Sequence, residues 1–321
     1  MGSNFVRYVL KNFRRVHIII LDALTYAGRK ENLRGISTTR YEFIKGNICD
    51  TRLMIKLMGR ADFVINFAAE THVDRSIHLN TDPFIKTNIG GVSSLLKALK
   101  LSPNVEKMIQ VSTDEVWGDL PYKSGRKFNE RSPYKPNSPY AASKAAGDLL
   151  IRAYVKTHSL PVIVTHAVNN FGPYQYPEKM IPFFALRAVE DKPIPLYGNG
   201  LNVRDWLYVG DHSRALLTLL LKGKNGEEYA ISRGREYTNI KIASKILEIL
   251  KKPISLIRFT EDRPGHDRKY SVDSSKLRHL GWRPMDSIDT KLKPTLQWYK
   301  NQRGRMLGNL KVVGINSHIK S

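Results

Sequence analysis

A tyrosine and a lysine four residues apart, Tyr140 and Lys144 in the segment YAASK, have the types and spacing for proton transfer. Residues at i and i+4 of a helix share a face, so the ammonium would lie near a phenol whose ordinary pKa is about 10. A nearby cation favours the phenolate, and we therefore expect Tyr140, assisted by Lys144, to act as a base near neutral pH. Taken alone, the motif also fits a solvated pair on a surface helix.

A hydroxyl and two adjacent carboxyls occur in VSTDEVWG, as Thr113, Asp114 and Glu115, directly after a predicted strand. Open α/β sheets place ligand sites at such strand ends. Neighbouring residues of a strand point to opposite faces. Both acids can therefore serve one substrate only if the chain has left the strand; the alternative is an ordinary pair of solvated loop acids.

The elements that must position these groups follow from hydrophobic patterning. Strands are predicted at VHIIIL (16–21), YEFIK (41–45), DFVINF (62–67), KMIQV (107–111) and PVIVT (161–165). Helices are predicted near 51–59, 83–100 and 138–158, and an amphipathic run indicates another just after Gly2. Strands that are apolar throughout indicate burial on both faces, and their alternation with helices predicts a Rossmann-type, doubly wound parallel α/β sheet.

The second part of the chain has a looser pattern, rich in Pro and Tyr. Helices are predicted near 179–190, 211–222, 239–250 and 288–300, with a strand at EEYAIS (227–232). We interpret this part as a substrate lobe, followed by a basic tail at 301–321.

Composition restricts the class of protein. The 321 residues are 41% hydrophobic, and no apolar run approaches the roughly 20 residues of a membrane helix. A single cysteine, Cys49, cannot form an internal disulfide, which is typical of a reducing cytoplasm. The net charge of +23 fits nucleic-acid binding or a basic enzyme whose field attracts anionic ligands. We favour the enzyme, because the basic residues are spread along the chain.

Several longer motifs resemble those of the extended short-chain dehydrogenase/reductases, in particular the dTDP-glucose 4,6-dehydratase family. The resemblance runs from Gly2 to about Tyr299 through LDALTYAG (21–28), FAAETHVDRSI (67–77), STDEVWG (112–118), NSPYAASKAAGD (137–148), NNFGPYQYPEKMIP (169–182), LYGNGLNVRDWLYV (196–209) and DRPGHDRKY (262–270). In this family the Thr-Asp-Glu triplet separates dehydratases from related epimerases.

The resemblance implies a reaction that begins with oxidation at C4 of a nucleotide sugar. Tyr140 and Lys144 would take the 4-hydroxyl proton while a hydride passes to NAD, and Thr113 would align the ring. Glu115 would then remove the C5 proton, Asp114 would protonate the departing 6-hydroxyl, and the hydride would return to C6. Two carboxyls are needed because one must be ionised while the other is protonated.

The cofactor implied is NAD, with no metal. Asp22 ends a predicted strand, where a carboxylate accepts hydrogen bonds from a ribose diol and repels a 2′-phosphate. The implied NAD-binding residues are Gly2, Asp22, Ala23, Leu24, Thr25, Asn47, Ile48, Phe67, Ala68, Ala69, Glu70, Thr71, Thr87, Tyr140, Lys144 and Asn170.

The substrate implied is a small-molecule nucleotide sugar. The matching positions are Thr71, Thr113, Asn169, Lys179, Met180, Pro195, Tyr197, Arg204, Asn239, Asp262, Arg263 and His266, within the run 262–266. Lys179 and Arg204 are cations suited to a diphosphate. Each has the alternative reading of an ordinary surface charge.

The resemblance also implies domains and an assembly. An NAD-binding domain would comprise 1–168, with 203–238 returning to it, and a substrate lobe would comprise 169–202 and 239–300. We expect a homodimer that pairs the helices near 83–100 and 138–158, and no membrane or nucleic-acid partner.

Three positions depart from the family pattern. His166 in THAVNN stands where Arg is usual, YAISRG (229–234) replaces a glycine-richer turn, and Gly210 replaces a polar residue. We interpret His166 as a neutral imidazole in the core or behind the site. These departures bear on substrate preference more than on reaction type.

The opening MGSNF matches only the end of the family's Gly-Gly-x-Gly-Phe-Ile-Gly-Ser-Asn-Phe phosphate loop. We therefore expect the family's central first strand to be missing, its neighbours to lack ladder partners, and NAD to bind poorly to the chain as written. An expression-tag remnant at Met-Gly-Ser is the alternative. Two alternative functions remain: an NAD-dependent epimerase, dehydratase or decarboxylase acting on another nucleotide sugar, and a truncated, non-catalytic basic binding protein.

Overall fold

The structure is a computed structural model that describes residues 1–304 and 306. Most of the predicted basic tail, 301–321, lies outside the described residues. The helices are α1 Gly2–Asn12, α2 Thr51–Met58, α3 Val73–His78, α4 Asp82–Phe84, α5 Val92–Lys100, α6 Pro139–His158, α7 Met180–Val189, α8 Val209–Lys222, α9 Asn239–Leu250, α10 Ser275–His279 and α11 Ile288–Asn301. Across the described part of the chain, no helix has the length and apolar character to cross a membrane.

The strands form one larger and three smaller sheets. They are β1 Ile18–Asp22, β2 Tyr41–Lys45, β3 Phe63–Asn66, β4 Lys107–Thr113, β5 Val162–Ala167, β6 Asn169–Phe171, β7 Ile194–Tyr197, β8 Val203–Tyr208, β9 Glu228–Ile231, β10 Glu236–Thr238 and β11 Ile257–Thr260. The larger sheet has the order β3-β4-β5-β9 and is parallel throughout, and β1 pairs in parallel with β2. The predicted α/β fold is confirmed.

The parallel strands form two separate pieces. Within the described residues, β1 pairs with β2 alone and the outer edge of β3 has no strand beside it. Ile18 of β1 and Ile65 of β3 nevertheless pack against one core cluster, and Ile19 and Val64 against another. The two pieces therefore pack against the same two cores.

The second lobe has its own small sheets. β8 lies between β10 and β6, and β7 pairs with β11. β8 and β10 fall within 203–238, which we assigned to the first domain, yet they pair with β6, whereas β9 joins the larger sheet. A separate apolar core lies among α7, α9 and α11.

Helix α6 carries Tyr140 and Lys144, and its start is well defined. Ser138 is the N-cap, its side chain accepts from the backbone N–H of Ala141, and Pro139 occupies the first turn. Both features favour a helix start at this point.

The single helix predicted at 83–100 is instead interrupted. Its middle, Ile85–Gly91, is π-helical between α4 and α5. Here the Asn88 side chain accepts from the N–H of Glu70 at 3.0 Å and donates to the carbonyl of Glu70 at 3.0 Å and to the hydroxyl of Ser143 at 2.8 Å. Such π-bulges often occur at functional sites.

Close packing of α6 on this π-helical segment can be tested at Gly147. A Cβ at Gly147 would lie 2.5 Å from the carbonyl oxygen of Asn88, whereas a Cβ at Gly125 would meet no atom within 4 Å. We expect Gly147→Ala to lower the free energy of unfolding by about 1–3 kcal/mol in urea denaturation, although alanine favours helices. Gly125→Ala is the matched control, and equal or greater stability of Gly147→Ala would contradict this packing.

Candidate active site

The two acids lie where the chain leaves β4. Strand β4 ends at Thr113, and Asp114–Trp117 form a 3₁₀ turn. The Thr113 hydroxyl oxygen accepts from the backbone N–H of Glu115 at 3.3 Å and so stabilises the turn. The chain thus leaves the strand before the two acids, which is the condition for both to face one substrate. The alternative of solvated loop acids is wrong for Asp114, which is 2% exposed.

The environment of Asp114 favours its protonated form. The Thr113 hydroxyl donates to its Oδ1 at 3.3 Å, whereas Oδ2 is buried without a hydrogen-bond partner among the described residues. Burial first, and then the charge of Glu115, raise the pKa of Asp114 well above its ordinary value, while Arg204 opposes the shift. Asp114 is therefore suited to donate a proton.

The pKa of Glu115 is raised less strongly. Burial raises it, and the positive charge of Arg263 opposes this shift, followed by smaller effects of Lys179 and Arg204. The two neighbouring carboxyls therefore differ in proton affinity, with the proton favoured on Asp114. This is the division that an acid and a base acting together require.

Tyr140 reaches the same place from α6. It is 7% exposed and hydrogen-bonds the Thr113 side chain. Burial and then the charge of Glu115 raise the pKa of Tyr140 well above 10, and the hydrogen bond with Thr113 opposes the shift. Thr113 thus contacts both Asp114 and Tyr140.

The predicted effect of Lys144 on Tyr140 is wrong in this structure, because the pKa of the phenol moves the opposite way. The buried ammonium of Lys144 donates to the carbonyl of Val111 at 2.9 Å, and burial lowers its pKa. The helical spacing is as predicted, but the carboxyls facing the phenol dominate its charge environment.

Three cations from the second lobe surround the acids. Arg204, Arg263 and Lys179 each lower the pKa of Glu115, as charges at short range do. The alternative of surface charge is wrong for Arg204, which is 5% exposed. Its guanidinium donates to the carbonyls of Val203 and Asp267, each at 2.8 Å.

A buried network that our choice of site residues missed holds Arg204. Its guanidinium carbon lies 4.2 Å from the centre of the Tyr270 ring, and the Tyr270 hydroxyl donates to Asp267. The Asn137 amide donates to the other carboxylate oxygen of Asp267 at 2.6 Å. Asp267 and Tyr270 lie in the motif DRKY, just beyond the run 262–266, and Asn137 begins NSPYAASK. All three residues therefore belong to motifs already singled out in the sequence.

The loop after β1 is a tight turn closed by the Asp22 side chain. Oδ1 of Asp22 accepts from the backbone N–H of Leu24 at 2.7 Å, and Leu24 adopts a left-handed conformation with φ of 52°. A Cβ at Gly28 would lie 2.7 Å from Asp22 Oδ1, so only glycine fits the close return of this loop. Ala23 and Thr25 lie in the same turn.

The loops after β2 and β3 lie at the same sheet edge. After β2, Asn47 Oδ1 accepts from the N–H of Cys49 at 2.9 Å, and Ile48 is buried. After β3, the backbone N–H of Ala68 donates to Asn66 Oδ1 at 3.1 Å. The remaining predicted cofactor residues here are Phe67, beside Gly2, and Ala69, Glu70 and Thr71, with the half-buried Thr87 on the π-helical segment.

Several polar atoms in this region have no partner among the described residues. Oδ1 of Asn169, Oδ1 of Asn170 and Oε2 of Glu178 are buried and make no hydrogen bond there, although His72 lies 3.9 Å from Oε2 of Glu178. Buried polar groups are normally hydrogen-bonded, so these atoms mark where a polar ligand fits. Together with the loops after three parallel strands, they fit a dinucleotide.

A cluster of charged and aromatic side chains forms the outer rim. Arg263 lies 3.5 Å from Asp74, and the Tyr197 hydroxyl donates to Asp74 at 3.4 Å. The ring of His266 packs edge-on against Tyr197 with centroids 6.0 Å apart, and its Nδ1 contacts Asp262 at 2.5 Å. Burial, and then Arg263, lower the pKa of His266 to about 4.

The other predicted substrate residues lie on flanking elements. Lys179 donates to the carbonyl of Thr71 at 2.8 Å and so links the two predicted ligand regions. Met180 begins α7, Pro195 lies on β7 and Asn239 begins α9. In the part of the chain that the structure describes, none of these three hydrogen-bonds Asp114 or Glu115.

Known proteins resemble the chain over nearly its whole length. It is 43% identical to a dTDP-glucose 4,6-dehydratase of Streptomyces niveus, covering 94% of this chain and 90% of that one. It is 44% identical to the low-salt glycan biosynthesis protein Agl12 of Haloferax volcanii, covering 93% and 95%. The NAD-bound structure of DesIV, a dTDP-glucose 4,6-dehydratase of Streptomyces venezuelae, matches with a TM-score of 0.92 at 41% identity over 96% of both chains.

More distant structures share the fold. The UDP-glucuronic acid 4-epimerase of Bacillus cereus matches with a TM-score of 0.87 at 27% identity over 94% of this chain and 96% of that one. The family model described as GDP-mannose 4,6 dehydratase matches residues 1–295. By this match, and by its similarity to the dehydratases above, the chain belongs to the GDP-mannose 4,6 dehydratase family.

Proposed function

We propose that this chain is an NAD-dependent hydro-lyase that converts dTDP-glucose to dTDP-4-keto-6-deoxyglucose. The observation that carries the proposal is the pair of adjacent carboxyls, Asp114 buried and Glu115 half-buried, whose proton affinities differ and which Thr113 joins to Tyr140. The relatives named as dTDP-glucose 4,6-dehydratases support the choice of substrate.

Tyr140 begins the reaction by accepting the proton of the sugar 4-hydroxyl. NAD, when bound, would supply the hydride acceptor for C4 and the hydride donor for C6, and a positive charge beside the phenol would oppose the rise in its pKa. Thr113 holds the phenol by a hydrogen bond, and Lys144 stiffens this end of β4 by binding Val111.

Glu115 and Asp114 then carry out the elimination. The new 4-keto group acidifies C5–H, and Glu115 removes this proton. Asp114 gives its proton to the 6-hydroxyl, so the C6–O bond breaks and water leaves. Hydride addition at C6 and return of the Glu115 proton to C5 complete the product and leave Glu115 ionised again. Asp114 has lost its proton to water, and the proton that Tyr140 took from the 4-hydroxyl replaces it before the next turnover.

The cations bind the diphosphate of the nucleotide and balance the negative charge of the carboxyls. Lys179, Arg204 and Arg263 surround Glu115, and their field favours its ionised form and attracts a diphosphate. Asp22 would bind the adenosine ribose of NAD, and Asn170 would lie beside the nicotinamide. The product is a precursor for deoxysugars such as dTDP-rhamnose, and we place the enzyme in the cytoplasm.

Turnover of dTDP-glucose tests this function with Tyr140 as the probe. We expect the wild-type chain supplied with NAD to form a 4-keto product with alkaline absorbance, and Tyr140→Phe to lower kcat by about 10²–10⁴-fold because the base is lost. Tyr122→Phe, at a residue that is 43% exposed, is the matched control and should retain activity. A folded, NAD-loaded wild type that forms no product would refute the function.

The difference between the two carboxyls predicts how substitutions change both kcat and the pH dependence of stability. Because the pKa of Asp114 is raised in the folded state, the folded protein keeps a proton there that the unfolded chain releases above about pH 3.9. The contribution of Asp114 therefore lowers the free energy of unfolding progressively as the pH rises above that value. We expect Asp114→Asn to lose about 10²–10⁴-fold in kcat yet to gain stability relative to wild type as the pH rises from 4 to 7.

Glu115→Gln provides the comparison for that prediction. Its activity loss should be similar, because the C5 base is lost, but its gain in stability over the same pH range should be smaller, since the pKa of Glu115 is raised less. Urea denaturation at several pH values measures both variants. A larger gain for Glu115→Gln than for Asp114→Asn would show that the roles are reversed.

We also propose a homodimer that pairs the outer faces of the π-helical segment, α5 and α6. Apolar side chains exposed on these elements, Ile85 at 53% and Leu149 at 51%, support this choice. Light scattering should give twice the mass of the chain, and Leu149→Asp should shift the protein towards the monomer. Leu221→Asp, at a residue that is 66% exposed on α8, should leave the dimer intact, and a monomeric wild type would contradict the proposal.

A further inference from the structure

His166 lies directly behind the catalytic turn and is fully buried on β5. Its Nδ1 lies 3.3 Å from the carbonyl oxygen of Thr113, and its Nε2 lies 3.0 Å from Oε2 of Glu228. The ring packs against Trp117, with centroids 4.8 Å apart. One imidazole therefore joins the end of β4 to a side chain on β9.

The Thr113 carbonyl and the Glu228 carboxylate, which face the two ring nitrogens, are both acceptors. The Tyr134 hydroxyl also lies 3.3 Å from Nε2, but it donates its proton to the same Glu228 oxygen. The Thr113 carbonyl has no proton to give. Burial alone would raise the pKa of Glu228, but the hydrogen bonds from His166 and Arg152 lower it to about 2, so this side chain is a carboxylate. A neutral imidazole has one N–H and would leave a lone pair facing one of these oxygens. Only the doubly protonated ring donates to both.

The other groups around the ring are compatible with a cation. Arg152 on α6 binds Glu228 through two nitrogens, and the Tyr134 hydroxyl donates to Glu228 at 3.3 Å. Burial raises the pKa of Tyr134, which keeps its proton. Asp148 on α6 also lies within electrostatic range of His166 and accepts from Ser112.

We propose that His166 is a cationic positioning residue, an imidazolium that holds the Thr113 carbonyl against Glu228 and so fixes the catalytic turn. Thr113 is the residue whose hydroxyl hydrogen-bonds both Asp114 and Tyr140. His166 occupies the position where the resembling family usually has arginine, a cation with several donors. Its fixed charge replaces the neutral imidazole that we expected from the sequence. The expected effect of His166 on kcat rests on the proposed function. The positive charge of the His166 ring does not depend on that function.

The charge of the ring can be measured without catalysis. In the ¹⁵N NMR spectrum of histidine-labelled wild type at pH 7, the signals that disappear in His166→Arg should show two protonated ring nitrogens. One unprotonated nitrogen would overturn the proposal. A wild type that fails to turn over dTDP-glucose would refute the proposed function and leave this measurement decisive for His166.

The positioning role is tested by kinetics. His166→Gln, which cannot donate to both acceptors, should lower kcat by about tenfold to a hundredfold with little change in KM, because the substrate still binds beside a displaced turn. His166→Arg should restore most of the kcat, which a purely space-filling role would not explain, and the exposed His279→Gln is the matched control.

Equal kcat for wild type and His166→Gln would overturn the positioning role. If His166→Gln does not fold, Glu228→Gln supplies the second variant. It removes the carboxylate that holds the second proton, and it should lower kcat in the same way with KM little changed. Wild-type kcat for a folded Glu228→Gln would equally overturn the proposal.

Discussion

The removal of two adjacent carboxyls from water at the end of β4, Asp114 fully and Glu115 in part, is the constraint that the rest of the site satisfies. Removing a carboxylate from water costs several kcal/mol unless it is protonated, paired or hydrogen-bonded. The two neighbouring carboxyls offset this cost in different ways. The surroundings of Asp114 raise its pKa well above the ordinary value and favour the protonated form, whereas nearby cations oppose the smaller rise in the pKa of Glu115 and favour its ionised form. The same arrangement provides an acid and a base side by side.

The second lobe supplies the cations, and this explains why the site requires both parts of the chain. Arg204 is held by backbone carbonyls and by Tyr270, so its charge has a fixed position behind the acids. On the opposite side, His166 holds the carbonyl of Thr113 from within the larger sheet. Thr113 is therefore held through its carbonyl from the larger sheet, and its hydroxyl hydrogen-bonds Asp114 and Tyr140.

Local patterns predicted much of this arrangement. The strand YEFIK coincides with β2, and helix α6 begins one residue after its predicted start, because apolar runs and capping residues are local signals. The short strands β6, β7, β8, β10 and β11 were not predicted, since they depend on pairing within the second lobe. Spacing in the sequence also could not predict that the Lys144 ammonium binds the Val111 carbonyl. Nor could it predict that His166 faces Glu228, which lies 62 residues further along the chain.

The central claim is that Asp114 holds a proton while Glu115 beside it is ionised. Infrared difference spectroscopy of the resting protein at neutral pH measures this directly, because a protonated carboxyl has a carbonyl stretch that a carboxylate lacks. The structure predicts a buried carboxylic-acid band that disappears in Asp114→Asn and persists in Glu115→Gln. Absence of the band from the wild type, or its loss in Glu115→Gln alone, would contradict the assignment of the acid and the base.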